Sequence, residues 1–200
     1  MNILITGGCG FIGSHLTELC LSKGHTVTII DDLSTGQMKN ITHLETNPSL
    51  KIYGDSIFNN ELLSELIQSN DIIFHLAAAV GVQLIVEKPV ETIETNVFGT
   101  HNVIKLASKF KKKLLIASTS EIYGKNTKTP FSEDSDRLLG PTTIGRWSYS
   151  SSKAIDEFMA LAYHKEFGLD VIIFRLFNTI GPRQTGRYGM VLPNFVSKAL

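Results

Sequence analysis

Short apolar runs alternate with longer amphipathic stretches along this 200-residue chain. Six β-rich runs predict strands near 2–6, 26–30, 50–53, 71–75, 113–118 and 171–175. Four stretches with a helical repeat predict helices near 11–22, 59–68, 90–110 and 147–167. Regular alternation of this kind predicts an α/β fold, with a parallel sheet covered by helices on both faces.

Three evenly spaced glycines follow the first predicted strand, in the pattern G-x-x-G-x-x-G. Glycines at such a turn allow a tight bend and let backbone N–H groups approach a pyrophosphate, while the helix that follows adds positive partial charge at its N-terminus. The turn and the start of the helix therefore predict a dinucleotide site formed by Gly7, Gly10, Phe11, Ile12 and Gly13.

Acidic residues follow the second and third predicted strands. Asp31 and Asp32 stand close to where a carboxylate would hold a ribose 2′-hydroxyl, and a carboxylate there repels a 2′-phosphate, which favours NAD over NADP. The same residues also fit a turn in which Asp caps the backbone. Asp55, after the third strand, would accept from an adenine amino group or cap a helix.

The later strand ends also carry candidate site residues, because ligands bind beyond the carboxyl ends of parallel strands. The small side chains of 77–79 leave room for a flat cofactor, or form a packed apolar turn. Asn178, after the last strand, would hold a ligand phosphate or hydroxyl. The segment 125–146, rich in Thr, Ser, Asp, Gly and Pro, predicts a long loop of functional importance.

Tyr149 and Lys153 are four residues apart and would project from one face of a helix. A nearby ammonium and a cationic nicotinamide both favour phenolate, so they would draw the pKa of Tyr149 down from about 10 towards neutral pH. The pair therefore predicts a catalytic base, although by spacing alone it also fits an exposed amphipathic helix.

Composition narrows the classes of partner. Nineteen basic and nineteen acidic residues balance, so no overall field attracts nucleic acid or an anionic membrane. The longest apolar stretch, 72–86, is too short and too polar to span a bilayer. Two unpaired cysteines and the absence of a secretory signal predict a cytoplasmic protein, and the scattered histidines predict no metal site.

Taken together, these motifs resemble the extended short-chain dehydrogenase/reductase family, in particular its nucleotide-sugar epimerases, dehydratases and decarboxylases. Beyond the features above, the resemblance rests on His75-Leu-Ala-Ala, Asn96-Val-Phe-Gly-Thr, Tyr149-x-x-x-Lys153, Arg175-x-Phe-Asn178 and Gly181-Pro-Arg183. It implies a Rossmann-like doubly wound sheet that forms an NAD-binding domain over 1–176, and the start of a truncated substrate-binding domain over 177–200.

The resemblance also implies roles for individual residues. Tyr149 would take the proton of the sugar 4-hydroxyl, Lys153 would hold the nicotinamide ribose and lower the tyrosine pKa, and Thr119 would orient the 4-oxygen. Further cofactor contacts are implied for Ser56, Leu76, Ala77, Ala78, Asn96, Ser118, Tyr149 and Lys153. Substrate contacts are implied for Thr119, Asn178 and Arg183.

The reaction that follows C4 oxidation depends on Thr119-Ser120-Glu121 in this comparison. Ser120 replaces the acid that dehydratases carry, which disfavours dehydration, and Glu121 argues mildly against simple 4-epimerases. The triplet is similar to that of UDP-glucuronate decarboxylases, in which Ser120 and a buried Glu121 of raised pKa would position the carboxylate and protonate C5. The stretch 77–82 is closer to epimerases, so decarboxylation and 4-epimerisation of a UDP-sugar both stay open.

Two further interpretations concern assembly and activity. Relatives dimerise through two helices per subunit, which would be 90–110 and 147–167 in this chain. Phe158, Leu161 and Ala162 would form such a homodimer contact or face the sheet instead. A non-catalytic dinucleotide-binding module is the rival hypothesis, and the presence of Tyr149, Lys153 and Thr119 argues against it.

Overall fold

The structure is a computed structural model, and it describes residues 1–186 and 191–200. The strands are β1 (Asn2–Thr6), β2 (Thr26–Ile30), β3 (Leu50–Tyr53), β4 (Ile72–His75), β5 (Lys113–Thr119) and β6 (Val171–Leu176). The helices are α1 (Phe11–Ser22), α2 (Asn60–Ser69), α3 (Val82–Glu87), α4 (Pro89–Glu94), α5 (Thr100–Lys109), α6 (Trp147–Phe167) and α7 (Val191–Ala199). Single helical turns lie at Met38–Asn40, Thr42–Leu44 and Ser120–Tyr123.

The six strands form one sheet in the order β3-β2-β1-β4-β5-β6, and every pairing is parallel. This is the doubly wound Rossmann-like arrangement, so the predicted fold class is confirmed. The strand order reverses between β1 and β4, where Thr6 pairs with His75. A ligand crevice opens at such a switch point, beyond the carboxyl ends of the two strands.

Helices bury both faces of the sheet because side chains alternate along each strand. On β1, Leu4 packs into a cluster with Ile104 of α5, while Ile3 and Ile5 pack on the opposite face with Cys20 of α1. All of these side chains are buried. The glycine turn after β1 is thereby held between two apolar layers, which fixes its position at the edge of the sheet.

The region 90–110 differs from the single regular helix that the sequence predicts. α4 passes into a five-residue π-helical turn, Thr95–Gly99, before α5 begins. Single π-helical turns within α-helices are frequent at functional sites. The short helices α3 and α7 were not predicted either, since neither has a helical repeat long enough to identify.

The outward face of α6 carries Phe158, Leu161 and Ala162, all exposed, so the interpretation that they face the sheet is wrong. Within the described part of the chain, no helix combines the length and apolarity needed to cross a bilayer. The predicted boundary at residue 176 coincides with the end of β6. Residues 187–190 of the predicted second segment lie outside the described residues.

Candidate active site

The glycine turn after β1 leaves no room for a side chain at Gly7 or Gly13. Gly7 has φ +73°, and a Cβ there would lie 2.8 Å from the Ala77 backbone nitrogen. A Cβ on Gly13 would lie 2.2 Å from the Gly7 carbonyl oxygen. The turn therefore packs against both the loop after β4 and the first turn of α1, as the sequence motif predicts.

The N-terminus of α1 fits a bound diphosphate. Gly10 precedes the helix without a side-chain cap, and the first turn holds no acidic residue. The first N–H groups of a helix have no intrahelical partner, so those around Phe11 and Ile12 are oriented towards an anion placed at the turn. The residues present thus match the pyrophosphate of a dinucleotide.

Asp31 lies against the glycine turn. Its Oδ2 accepts a hydrogen bond of 2.8 Å from the Cys9 N–H, and its Oδ1 accepts one of 2.9 Å from the Leu33 N–H. Burial raises the pKa of Asp31, which these backbone bonds partly offset. Each oxygen keeps a further lone pair that can accept from a ribose hydroxyl. Asp32 is exposed and caps its own turn through the Ser34 N–H at 2.9 Å.

Asp55 makes local capping contacts. Its Oδ1 accepts from the Ser56 N–H at 2.6 Å, and its Oδ2 accepts from the Asn59 side-chain amide at 2.8 Å. Asn59 in turn caps α2 through the Leu62 N–H. The contacts observed are therefore those of the alternative in which Asp55 has a capping role. The predicted adenine contacts of Asp55 and Ser56 stay predictions.

The loop after β4 is anchored from two sides. The Leu76 and Ala77 N–H groups donate to the Thr6 carbonyl and hydroxyl, both at 3.1 Å. Asn96, fully buried in the π-helical turn, accepts from the Ala79 N–H at 2.8 Å and donates to the Ala79 carbonyl at 3.1 Å. Both ends of the Asn96 amide are thus bonded to this loop, so Asn96 shapes the cofactor crevice that Leu76, Ala77 and Ala78 border.

Tyr149 lies near the end of β5. The Thr119 hydroxyl, the last on β5, is close enough to the Tyr149 phenol to favour its ionised form, and it accepts from the Glu121 N–H at 3.2 Å. Burial raises the pKa of Tyr149 to about 12, helped by the charges of Glu121 and Asp156 and only partly offset by Thr119. The predicted lowering of this pKa by Lys153 was therefore wrong for the chain without cofactor.

The Glu121 carboxylate is another departure from prediction. Its side chain is 46% exposed, beside the partly buried Ser120, so the expectation of a buried Glu121 was wrong. Its Oε2 lies 3.5 Å from Nη2 of Arg146, which ends the long loop before α6. The Arg146 guanidinium carbon lies 4.9 Å from the centre of the Trp147 ring. A cation and an anion therefore share the rim of the site, one helical turn from Tyr149.

Lys153 is buried, and its ammonium donates to Oδ2 of Asp156 at 2.8 Å. The negative charge of Asp156 therefore lies directly beside the Lys153 ammonium, and paired opposite charges largely cancel at a distance. From β5, the Ser118 hydroxyl donates to Oε1 of Glu157, the next residue on α6, at 2.5 Å. Ser118 thus joins β5 to α6, and its predicted cofactor contact stays a prediction.

The two predicted substrate residues after β6 have different surroundings. Asn178 is exposed. Arg183 donates from Nη2 to Oε1 of Glu18 on α1 at 2.5 Å, and the neighbouring Pro182 carbonyl lies 3.0 Å from Nε2 of His15. This segment therefore packs on α1, and Arg183 is already bonded to a carboxylate, so its substrate contact stays a prediction.

Sequence reasoning missed several polar residues around the site. Asp156 and Glu157 follow Lys153 by three and four positions, which is the spacing of side chains that meet on a helix, and this signal could have identified them. Thr6 and Thr100 contact His75 from different elements, a relation that no spacing along the chain reveals. Among the residues the structure describes, no group of three or more His, Cys, Asp or Glu side chains is placed to bind a metal.

These features define a class of protein: a doubly wound dinucleotide-binding fold with a Tyr-Lys pair at the carboxyl edge of its sheet. The family model described as GDP-mannose 4,6 dehydratase matches residues 4–200. The chain therefore belongs to this family of extended short-chain dehydrogenases/reductases, as the motifs predict.

Individual relatives refine the comparison. The chain is 48% identical to UDP-N-acetyl-alpha-D-glucosaminuronate decarboxylase of Bacillus cytotoxicus, over 98% of the chain and 60% of the relative. It is 38% identical to UDP-glucuronic acid decarboxylase 1 of Xenopus tropicalis, over 99% of the chain and 46% of the relative. The dTDP-glucose 4,6-dehydratase structure from Streptomyces venezuelae, solved with NAD bound, superposes with a TM-score of 0.90 at 30% identity, covering all of this chain and 62% of that one. The chain thus spans less than two thirds of each.

Proposed function

We propose that the protein containing this chain is an NAD-dependent enzyme that decarboxylates a UDP-uronic acid through a transient 4-keto sugar. The observation that carries the proposal is the arrangement at the end of β5, where Thr119 lies near the Tyr149 phenol and Glu121 lies beside Arg146. The similarity to two UDP-uronate decarboxylases supports the same reaction.

The cofactor proposal rests on the fit of the glycine turn. The N-terminus of α1 would hold the pyrophosphate, Asp31 would hold the adenosine ribose and repel a 2′-phosphate, and Lys153 would bind the nicotinamide ribose. When bound, NAD supplies a hydride acceptor for sugar C4 and returns the hydride at the end of the cycle. Relatives solved with NAD support this assignment.

Tyr149 acts as the base in this proposal. It accepts the proton of the sugar 4-hydroxyl while Thr119, close to the phenol, orients the oxygen that becomes the ketone. Because burial raises the pKa of Tyr149 to about 12 in the chain alone, the positive charge of the bound cofactor must lower it before the base can work. Proton abstraction is thereby confined to the loaded site.

Decarboxylation follows from the 4-ketone. The C6 carboxylate is then that of a β-keto acid, so the C5–C6 bond breaks, carbon dioxide leaves, and the electron pair forms an enolate across C5, C4 and the oxygen. Protonation at C5, which we assign to Glu121 with Ser120 positioning the carboxylate, gives a 4-keto pentose. Return of the hydride to C4 and of the Tyr149 proton to the 4-oxygen then gives the UDP-pentose. Ser120 lacks the acidity needed to expel a 6-hydroxyl, which disfavours dehydration.

A 4-epimerase is the second candidate, and the small side chains of Ala77, Ala78 and Ala79 beside the crevice favour it. They would leave space for the keto intermediate to rotate and present its other face. The half-exposed Glu121 also leaves the rim more open than the sequence predicts.

A homodimer is part of the proposal. Phe158 and Leu161 of α6 are 61% and 53% exposed, with Ala162 beside them, and Val90 of α4 is 67% exposed. Exposed apolar side chains on two neighbouring helices favour packing against the same helices of a second copy. A Phe158→Glu substitution should then convert a dimer into a monomer in light scattering, with Glu166→Lys on the same helix as control.

The experiment for the reaction is proton NMR of UDP-glucuronate and UDP-N-acetylglucosaminuronate, each incubated with the full-length protein and NAD. New anomeric signals of a UDP-pentose support decarboxylation, whereas UDP-galacturonate or its acetamido analogue identifies a uronate 4-epimerase. Tyr149→Phe serves as the control that removes the base and keeps the ring. Unchanged spectra for both uronates would refute both candidates.

A further inference from the structure

Lys153 and Asp156 form the most deeply buried ion pair among the described residues. Their side chains are 3% and 0% exposed, and Nζ lies 2.8 Å from Oδ2. The other carboxylate oxygen, Oδ1, is buried and has no hydrogen-bond partner in the described structure. Burial raises the pKa of Asp156, and the Lys153 ammonium offsets part of that effect. The lysine is therefore the main group that compensates this buried negative charge.

Asp156 is also the end of a hydrogen-bonded chain from the cofactor crevice. Its Oδ2 lies 3.3 Å from the Thr100 hydroxyl on α5, which lies 3.0 Å from Nε2 of His75 at the end of β4. Nδ1 of His75 lies 2.7 Å from the Thr6 hydroxyl at the end of β1. The Thr6 hydroxyl in turn accepts from the Ala77 N–H at 3.1 Å.

Counting the available protons determines which group donates and which accepts in each of these hydrogen bonds. Burial lowers the pKa of His75 to about 3, with a contribution from the Lys153 charge, so its ring is neutral and carries one N–H. Thr100 has a single hydroxyl proton, which goes to the carboxylate, so it accepts from Nε2–H of His75. Nδ1 of His75 must then accept from Thr6, whose oxygen is free to accept from Ala77. Every donor points towards Asp156, an arrangement that suits an ionised carboxylate.

We propose that Asp156 is the positioning residue of Lys153: its buried carboxylate keeps the lysine charged and ties the catalytic helix, through Thr100, His75 and Thr6, to the loop that borders the cofactor. The carboxylate is thus a fixed counter-ion beneath the site. The proposal rests on the assignment of Lys153 to the nicotinamide ribose, but it does not depend on which sugar the enzyme modifies.

No other anion in the described surroundings is free to replace the Asp156 carboxylate as the partner of Lys153. α5 contributes the uncharged Thr100, and β4 contributes the neutral His75. Glu157, next on α6, is already bonded to Ser118 and Arg175. Glu121, after β5, acts on Tyr149 from the rim and is half exposed. Without the carboxylate, Lys153 would be a buried cation without a partner, and such lysines lose their proton several pH units below the usual value of about 10.4.

The test is Asp156→Asn in the full-length protein, which keeps the shape and removes the charge. NMR of isotope-labelled lysine follows the charge of Lys153 directly, with its signal assigned by its loss in Lys153→Arg. We expect the wild-type ammonium to stay charged from about pH 6 to pH 9, and the variant to lose its proton within that range. In parallel, NAD affinity should fall about tenfold between those pH values in the variant and less than about twofold in the wild type, because a charged donor becomes a neutral one.

Thr100→Val is the matched control, because it removes a donor to the same oxygen and keeps the carboxylate. Its Lys153 should stay charged over the whole range. A merely structural Asp156 would instead weaken NAD binding equally at every pH in Asp156→Asn, with no change in the lysine titration, and that result overturns the proposal. A neutral Lys153 in the wild type at about pH 8 also overturns it, even if the variant fails to fold. Neither readout uses a sugar substrate, so failure of the proposed reaction would leave this test intact.

Discussion

Arg175 of β6 holds Glu157 of α6 with two hydrogen bonds, from Nε to Oε1 at 3.0 Å and from Nη2 to Oε2 at 2.7 Å. Its Nη1 donates to the Tyr123 hydroxyl at 2.9 Å, while Ser118 of β5 donates to the same carboxylate. One partly buried guanidinium thereby fixes the ends of β5 and β6, the start of the long loop and the middle of α6. Glu157 directly follows Asp156 on α6, so this clamp and the Lys153–Asp156 pair occupy neighbouring positions on one helix.

Replacing Arg175 should therefore destabilise the whole carboxyl edge of the sheet. Arg175→Met leaves Glu157 with a buried, unpaired charge, so we expect a loss of about 3 kcal/mol in the free energy of unfolding, measured by urea denaturation. The control is Lys113→Met, which removes an exposed ion pair with Asp170 and should cost less than about 1 kcal/mol.

The hydrogen bonds between Arg175 and Glu157 should also make the free energy of unfolding depend on pH. Burial alone would raise the pKa of Glu157, but the hydrogen bonds from Arg175 and Ser118 outweigh it, so the pKa lies below its ordinary value. A carboxylate with a lowered pKa stabilises the fold above its unfolded pKa of about 4.3 and loses that contribution as the pH falls. The difference between wild type and Arg175→Met should thus be constant from about pH 6 to pH 8 and shrink below about pH 4. A difference that grew in acid would contradict this.

Ionisation of Tyr149 should depend on the cofactor. Because burial raises the pKa of Tyr149 to about 12, its phenol should remain protonated at about pH 10 in the protein freed of NAD. Ultraviolet difference spectra between wild type and Tyr149→Phe isolate this residue from the other tyrosines. Adding NAD should move its ionisation to lower pH. Equal titration curves with and without NAD would show that the cofactor charge does not reach the phenol.

Much of the fold and part of the site could be predicted from sequence, because both depend on local patterns. All six strands were predicted to within one residue, since each is a short apolar run bounded by polar turns. The glycine turn was predicted because its backbone conformation is encoded in three glycines spaced three residues apart, and Gly7 does adopt a positive φ of 73°. The roles of Tyr149 and Thr119 at the same sugar oxygen were implied by the resemblance to the family, and their proximity in the structure was not predicted from spacing.

The rest depends on contacts between distant residues. The π-helical turn at Thr95–Gly99 has no local signal, because it is stabilised by the bonds of Asn96 to Ala79 across the crevice. The pKa of Tyr149 in the chain without cofactor was predicted in the wrong direction because burial of the phenol, the main cause that raises it, depends on tertiary packing rather than on neighbouring residues in the sequence. Arg183 bonds Glu18, 165 residues earlier in the chain, so nothing near it in sequence indicates that partner.

Gly13 should be indispensable for both the turn and the cofactor. A Cβ at this position would lie 2.2 Å from the Gly7 carbonyl oxygen and 2.8 Å from the Gly8 Cα, and backbone cannot move aside without opening the turn. We expect Gly13→Ala to lose about 3 kcal/mol of stability and to bind NAD too weakly to detect by calorimetry. Gly54→Ala is the matched control, because a Cβ there meets nothing within 4 Å. NAD binding retained in Gly13→Ala would place the cofactor elsewhere.

Arg146 should decide whether the site accepts a charged sugar. Its guanidinium lies 3.5 Å from the half-exposed Glu121, so a C6 carboxylate entering the site can exchange for Glu121 as its partner at little cost in desolvation. This exchange would release Glu121 for proton transfer. Losing one charge-assisted bond costs about 2 kcal/mol, so Arg146→Met should lower kcat/KM for UDP-glucuronate about 30-fold.

The control for Arg146 lies on the same indole ring. Lys125 has its ammonium 5.4 Å from the centre of the Trp147 ring, so Lys125→Met removes a neighbouring cation with similar loss of packing. It should leave kcat/KM nearly unchanged, and neither variant should alter NAD affinity. UDP-glucose, which has no carboxylate, should compete more effectively with UDP-glucuronate in Arg146→Met than in the wild type. Lys125→Met should show no such change. Equal losses in both variants would mean that Arg146 acts through packing on Trp147, and carboxylate selection would then have to come from another residue.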